Sequence, residues 1–229
     1  MIKDNDFLQN SQNHRTMQTQ LGLFSFLLIL FCTACEAPKS YSLEELEQNH
    51  HNTLALPVKP NFDAEQYKTM FQVFQEMNQQ QILEQLSATD LTLRHASFGF
   101  YYLANTYAAN QDRENALKYH RIAAEQYINP QSLLKLAEFN FHVTKDYAKA
   151  YEYLHQSLEI KVEITENNRS HPLSKNGKDK TQYILQELEK SGENKQFDKA
   201  KIREKLKKEL PALLETYRTI YGLGPRADS

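Results

Sequence analysis

The chain has 229 residues, a formal net charge of −2, 6 glycines, 2 cysteines and no tryptophan. Near-neutral charge argues against a nucleic-acid binder, which carries a strong basic excess. Cys32 and Cys35 both fall in one apolar N-terminal run, which leaves no disulfide framework for the rest of the chain.

Leu21 to Phe31 is apolar apart from Gly22 and Ser25, and is followed by Cys32, Thr33, Ala34 and Cys35. Crossing a bilayer takes about 20 apolar residues, whereas a secretory signal has an apolar core of about 7–15 before a small-residue cleavage site. Residues 1–34 therefore read as a removable export signal; an uncleaved anchor and an ordinary cleaved signal are the alternatives. Thr33-Ala34-Cys35 resembles the lipobox of bacterial lipoproteins, with Cys32 standing where Leu, Val or Ile is usual. The resemblance implies that Cys35 is lipidated, becomes the new N-terminus and anchors the protein to the periplasmic side of a bacterial membrane.

Residues 35–60 read as a lipidated tether, mostly polar and punctuated by Pro38, Pro57 and Pro60. Leu43 to Leu46 offer one turn of helix within it. Asn61 and Asp63 are caps for a helix starting near Ala64. Phe71, Phe74, Ile82, Leu83 and Leu86 give an apolar face, and the polar run Asn78 to Gln81 predicts a break between two helices. Few glycines and few Val-Ile-Thr runs favour helix over sheet throughout.

The centre holds an internal repeat. Asp112 opens DRENALKYH and Asp146 opens DYAKAYEYL, so that Ala116 recurs as Ala150 and Tyr119 as Tyr153, 34 residues apart. Leu103-Ala104 matches Leu136-Ala137 one residue out of step, which predicts a single insertion within or beside that helix. A period of 34 with two helices per unit resembles the tetratricopeptide repeat. Tyr119, Arg121 and Ala123-Ala124-Glu125-Gln126 resemble the SEL-type variant, although the glycine-rich loop of that variant is missing. These resemblances cover about residues 97–160 and imply an all-α fold, a short α-solenoid whose repeat domain spans residues 61–160.

Residues 161–178 read as a polar surface loop containing Pro172 and Gly177. Residues 179–229 read as a C-terminal helical pair. Its first helix closes at Gly192, and its second carries Ile202, Leu206, Leu210, Leu213, Leu214, Tyr217 and Ile220 on one face with Pro211 inside.

Catalytic and metal motifs are wanting. No two histidines stand at i, i+4, and neither a nucleophile elbow nor a phosphate loop occurs. No metal and no cofactor is expected, nor an enzyme. The basic stretch Lys199 to Lys208 reads as a solvated helix face because Glu204 interrupts it and Glu209 follows it. The inner face of the repeats is assigned Phe98, Tyr101, Asn105, Lys135, Phe139 and His142 as the partner-binding set. Asn105 and Lys135 match positions of the carboxylate clamp of some tetratricopeptide domains, whereas Tyr101 and Ala109 do not. The resemblance implies work by protein binding. Lipoproteins with SEL-type repeats resemble immunity proteins that neutralise secreted antibacterial effectors, notably phospholipases; a scaffold for envelope proteins is the alternative.

Overall fold

The computed structural model describes residues 39–49, 54, 56–57, 64–89, 91–167, 178–190 and 197–223. Among these the chain is all-α, with no strand. The export segment, Cys35, Asn61, Asp63, Pro172, Gly177 and Gly192 lie outside the described residues.

Helix α1 (Leu43–Glu47) starts at a reciprocal cap. The Ser42 hydroxyl accepts from the Glu45 N–H (3.2 Å), and Glu45 Oε2 accepts from the Ser42 N–H (2.7 Å). The segment around it is expected as tether, and for its described residues from Tyr41 to Asn49, with Leu54, Leu56 and Pro57, that expectation is corrected. Leu46 and Leu56 are in the core, the Tyr127 hydroxyl donates to the Leu46 carbonyl (2.8 Å), and the Leu93 N–H donates to the Pro57 carbonyl (3.3 Å). Asn49, itself buried, accepts from the Leu54 N–H at 2.9 Å. The short helix supplies one apolar knob, and its polar flanks are satisfied by the body.

Helices α2 (Ala64–Glu76) and α3 (Gln79–Leu86) are separated where the polar run predicts. Asn78 caps α3, accepting from the Gln81 N–H (3.0 Å) while Gln81 Oε1 accepts from the Asn78 N–H (2.9 Å). Helix α4 (Leu93–Ala109) starts at Thr92 and is buried almost throughout its first twelve residues, Leu93 to Ala104. Gly99 permits close approach of α3: a Cβ there would stand 2.6 Å from Leu86 Cδ2.

Two helical hairpins follow, α4 with α5 (Arg113–Arg121), and α6 (Pro130–Phe139) with α7 (Tyr147–Asn167). They share local features at the 34-residue offset. Gln111 (φ 62°) and Lys145 (φ 58°) take the left-handed conformation. Asp112 and Asp146 then cap the second helices, accepting from Asn115 N–H (3.2 Å) and Lys149 N–H (3.0 Å). Ala116 and Ala150 are both buried. The extra residue expected in one copy is absorbed by a π-helical turn, Asn140–Thr144, at the end of α6. A π turn lengthens the backbone ring by one residue without displacing the helix beyond it. Asn140 Nδ2 donates to the Leu136 carbonyl (2.8 Å), which also accepts from the Asn140 backbone N–H. A second π turn, Ile122–Gln126, ends α5. Asn129 then caps α6, accepting from the Gln131 and Ser132 N–H groups (both 3.1 Å), with Pro130 at the first helical position.

The predicted loop 161–178 is corrected at its start, because α7 continues to Asn167. Lys161 to Asn167 contain neither proline nor glycine, and extending a formed helix costs far less than nucleating one. The C-terminal pair is α8 (Lys178–Glu189) and α9 (Lys199–Tyr221). Asp198 caps α9, accepting from the Lys201 N–H (2.8 Å), and Gly222 (φ 64°) ends it, with the Leu223 N–H on the Arg218 carbonyl (2.9 Å).

Among the described residues the core falls into two clusters. One gathers Leu46, Phe74, Leu86, Phe98, Leu103, Tyr127, Tyr217 and Tyr221; the other Ala137, Phe141, Tyr151, Leu154, Ile184 and Leu188. Helix α9 serves both, Ile202 packing against the second cluster and Leu214 to Tyr221 lying in the first, with Pro211 between them.

Candidate functional site

Helices α4 and α6 and the π turn after α6 position the six residues assigned to the inner face, and the structure sorts them. Phe98 is completely buried, 6.3 Å from the Phe74 ring and 6.4 Å from the Tyr221 ring between centroids. It belongs to the core, and its place in the partner-binding set is corrected: α2 and α9 cover the face on which it lies. Tyr101 is half-buried, its ring edge-on to Tyr102 (5.0 Å) and 5.9 Å from the His120 ring. Asn105 is half-buried one turn further along α4.

On α6, Lys135 is exposed and pairs with Glu138 at 3.2 Å. Phe139, one turn on, is half-buried beneath the Arg113 guanidinium, 5.1 Å above its ring. His142 is exposed on the π turn, edge-on to Phe141 (4.8 Å), beside the exposed Val143. Tyr101, His120 and Lys135 are linked across α4, α5 and α6: burial, and then the Lys135 charge, push the His120 imidazole down to about 4. His120 Nδ1 lies 3.2 Å from the Ser132 hydroxyl, so this histidine joins α5 to α6 as a neutral structural group. Arg113 was missed by sequence reading, since the residue after a helix cap reads as an ordinary helix start; only the fold lays it over Phe139.

The basic stretch of α9 is more engaged than a solvated face. Arg203 Nη2 pairs with Glu189 (2.8 Å) and its Nε donates to the Tyr151 hydroxyl (2.8 Å), while Lys205 pairs with Glu152 (2.6 Å). Lys199 also reaches Glu189, at 3.5 Å. These contacts brace α9 against α7 and α8. The His155 ring lies 4.3 Å from the Tyr151 ring and tilted to it, and burial, with Arg203 adding to it, lowers its pKa.

Among the described residues, no group of three or more His, Cys, Asp or Glu is placed to hold a metal ion, and no helix is long and apolar enough to cross a membrane. The assigned side chains that reach solvent are a tyrosine, an amide, a lysine, a cation-covered phenylalanine and an exposed imidazole. Comparison with protein-family models, with curated proteins and with solved structures finds no match to the chain.

Proposed function

We propose that this protein is a lipid-anchored binding protein of the bacterial envelope, a short tetratricopeptide-like α-solenoid that acts by holding another protein. Its anchor is the lipid on Cys35, and its body faces the periplasm. The observations that carry the reading are the solvent-reaching side chains Tyr101, Asn105, Lys135, Phe139 and His142, with Arg113 over Phe139, on two hairpins that share caps and turns at a 34-residue offset. Fold alone does not assign function; the more specific reading follows from the lipobox and the SEL-type resemblance. On that reading the protein is an immunity protein, and its partner is a secreted antibacterial effector of the phospholipase type. Such a task needs tight binding at the membrane under attack and no chemistry of its own.

The test is affinity capture on the non-lipidated chain 36–229, followed by neutralisation. Capture of one lipase-like effector, whose toxicity the full protein suppresses on co-expression, is the expected result. Capture of barrel-assembly or wall-synthesis proteins instead would replace immunity by an envelope scaffold.

A further inference from the structure

The packing of α1 changes what a lipid on Cys35 would do. Read from sequence alone, residues 35–60 form a tether of 25 peptide steps, with an extended reach of up to about 90 Å. The body claims its described stretch from Tyr41 to Asn49. Tyr41 donates to the Leu54 carbonyl (3.0 Å), Ser42 caps α1, and Leu46 is completely buried. Glu47 pairs with Lys118 of α5 at 2.7 Å, and the Gln126 side-chain amide donates to the Glu47 carbonyl. Only seven peptide steps separate Cys35 from Ser42, which at full extension reach no more than about 25 Å.

We infer that the anchored protein is held with one defined corner, α1 together with the C-terminal end of α5, against the phospholipid headgroups. This rests on the lipid-anchor reading and adds an orientation to it. The corner carries both signs of charge on exposed residues, Glu44 and Glu45 beside Lys118 and Arg121. The large apolar side chains exposed among the described residues, Val73, Val143 and Tyr183, belong to α2, the π turn after α6 and α8. The corner therefore rests on the headgroup layer without inserting. Helix α8 packs on the second core cluster, whereas Leu46 of α1 belongs to the first. A partner is then met at the bilayer surface itself, within reach of an enzyme or effector working on lipid.

The full-length lipoprotein, purified from membranes and reconstituted in phosphatidylethanolamine–phosphatidylglycerol vesicles, tests this. With Cys35 blocked by lipid and Cys32 removed with the signal, an introduced cysteine is a unique site for a fluorophore. A label at Gln48→Cys, the residue that ends α1, should lose most of its emission to a headgroup-level lipid quencher, and a label at Tyr183→Cys, on α8, should keep most of its own. Inserting ~20 Gly-Ser residues between Glu36 and Ala37, which adds roughly 25 Å of mean reach, should abolish the difference. Equal quenching at both sites in a vesicle-bound, lipidated protein would overturn the inference while leaving the anchor intact. A Cys35→Ala chain that still floats with vesicles, or a mature protein without lipid, would overturn the anchor and this inference together.

Discussion

Ser97 and Tyr221, 124 residues apart, share a buried hydrogen bond of 2.8 Å that ties the first hairpin to the last helix. Asn129 completes the arrangement, its side-chain amide donating to the Ser97 carbonyl (3.3 Å) and hydroxyl (3.2 Å) while its oxygen caps α6. Because both hydroxyls are withdrawn from water, removing one leaves its partner short. Tyr221→Phe should cost about 1–3 kcal/mol, read as a lower urea midpoint with an unchanged slope. Ser97→Ala in that background should cost less than it does alone.

The docking of α1 depends on one phenol. Tyr127→Phe removes the bond to the Leu46 carbonyl and the contact with Asn49 (3.4 Å). A destabilisation of about 1–2 kcal/mol is expected, with faster amide exchange over Leu43 to Asn49 and little change in α8. Uniform acceleration throughout the body would mean that α1 is no separate docking unit.

His120 gives stability a pH dependence whose sign is fixed by its environment. Burial and then Lys135 hold its pKa at about 4, below the ordinary 6.5, so the folded state binds fewer protons than the unfolded one between those values. The contribution is complete above pH 6.5, is lost as pH falls toward 4, and changes little below that. A shift of this size corresponds to about 3 kcal/mol. His155 shifts in the same direction. Denaturant titrations between pH 7 and 4 should show the fall, and His120→Gln should flatten much of it.

Gly99 sits in a helix, where alanine is ordinarily better by about 1 kcal/mol. Here the added methyl meets Leu86, which is 1 % exposed and cannot swing outward. Gly99→Ala should therefore destabilise by about 1–2 kcal/mol, as a lower thermal midpoint. In a Leu86→Ala background the same change should be stabilising, since the obstructing atoms are gone.

For the binding edge, Lys135→Glu with Phe139→Ala should weaken partner affinity by about tenfold to a hundredfold, measured by calorimetry, with the far-ultraviolet spectrum unchanged. Both side chains reach solvent. Tyr101→Ala is a poorer probe because its ring packs on Tyr102 and His120. Unaltered affinity would move the interface off α6.

Local signals carried the secondary structure well. The Asn78 cap, the Asp112 and Asp146 helix starts, the Gly222 stop and the one-residue offset between hairpins are short-range features readable from residue type. What escaped was non-local. Phe98 and Tyr101 are three residues apart on one helix, yet α2 and α9 bury the first and leave the second half-open. The Phe74 and Tyr221 contacts of Phe98 come from 24 residues before it and 123 after it. The residues from Ser40 to Pro57 look like a tether because a five-residue helix needs only one buried side chain, Leu46, while Tyr127 and Gln126 bond its last carbonyls and Lys118 pairs with Glu47. The Ser42–Glu45 capping pair was the local sign that this segment is ordered.

Helix α9 changes how the molecule comes apart. Stacked hairpins that touch only their neighbours lose structure from the ends inward, each unit opening at its own free energy. A 23-residue helix is about 35 Å long, and here its two halves are embedded in different core clusters. Opening either hairpin exposes part of α9, and peeling α9 away uncovers both. End-fraying is thereby replaced by a single concerted transition, in which the two hairpins report one unfolding event.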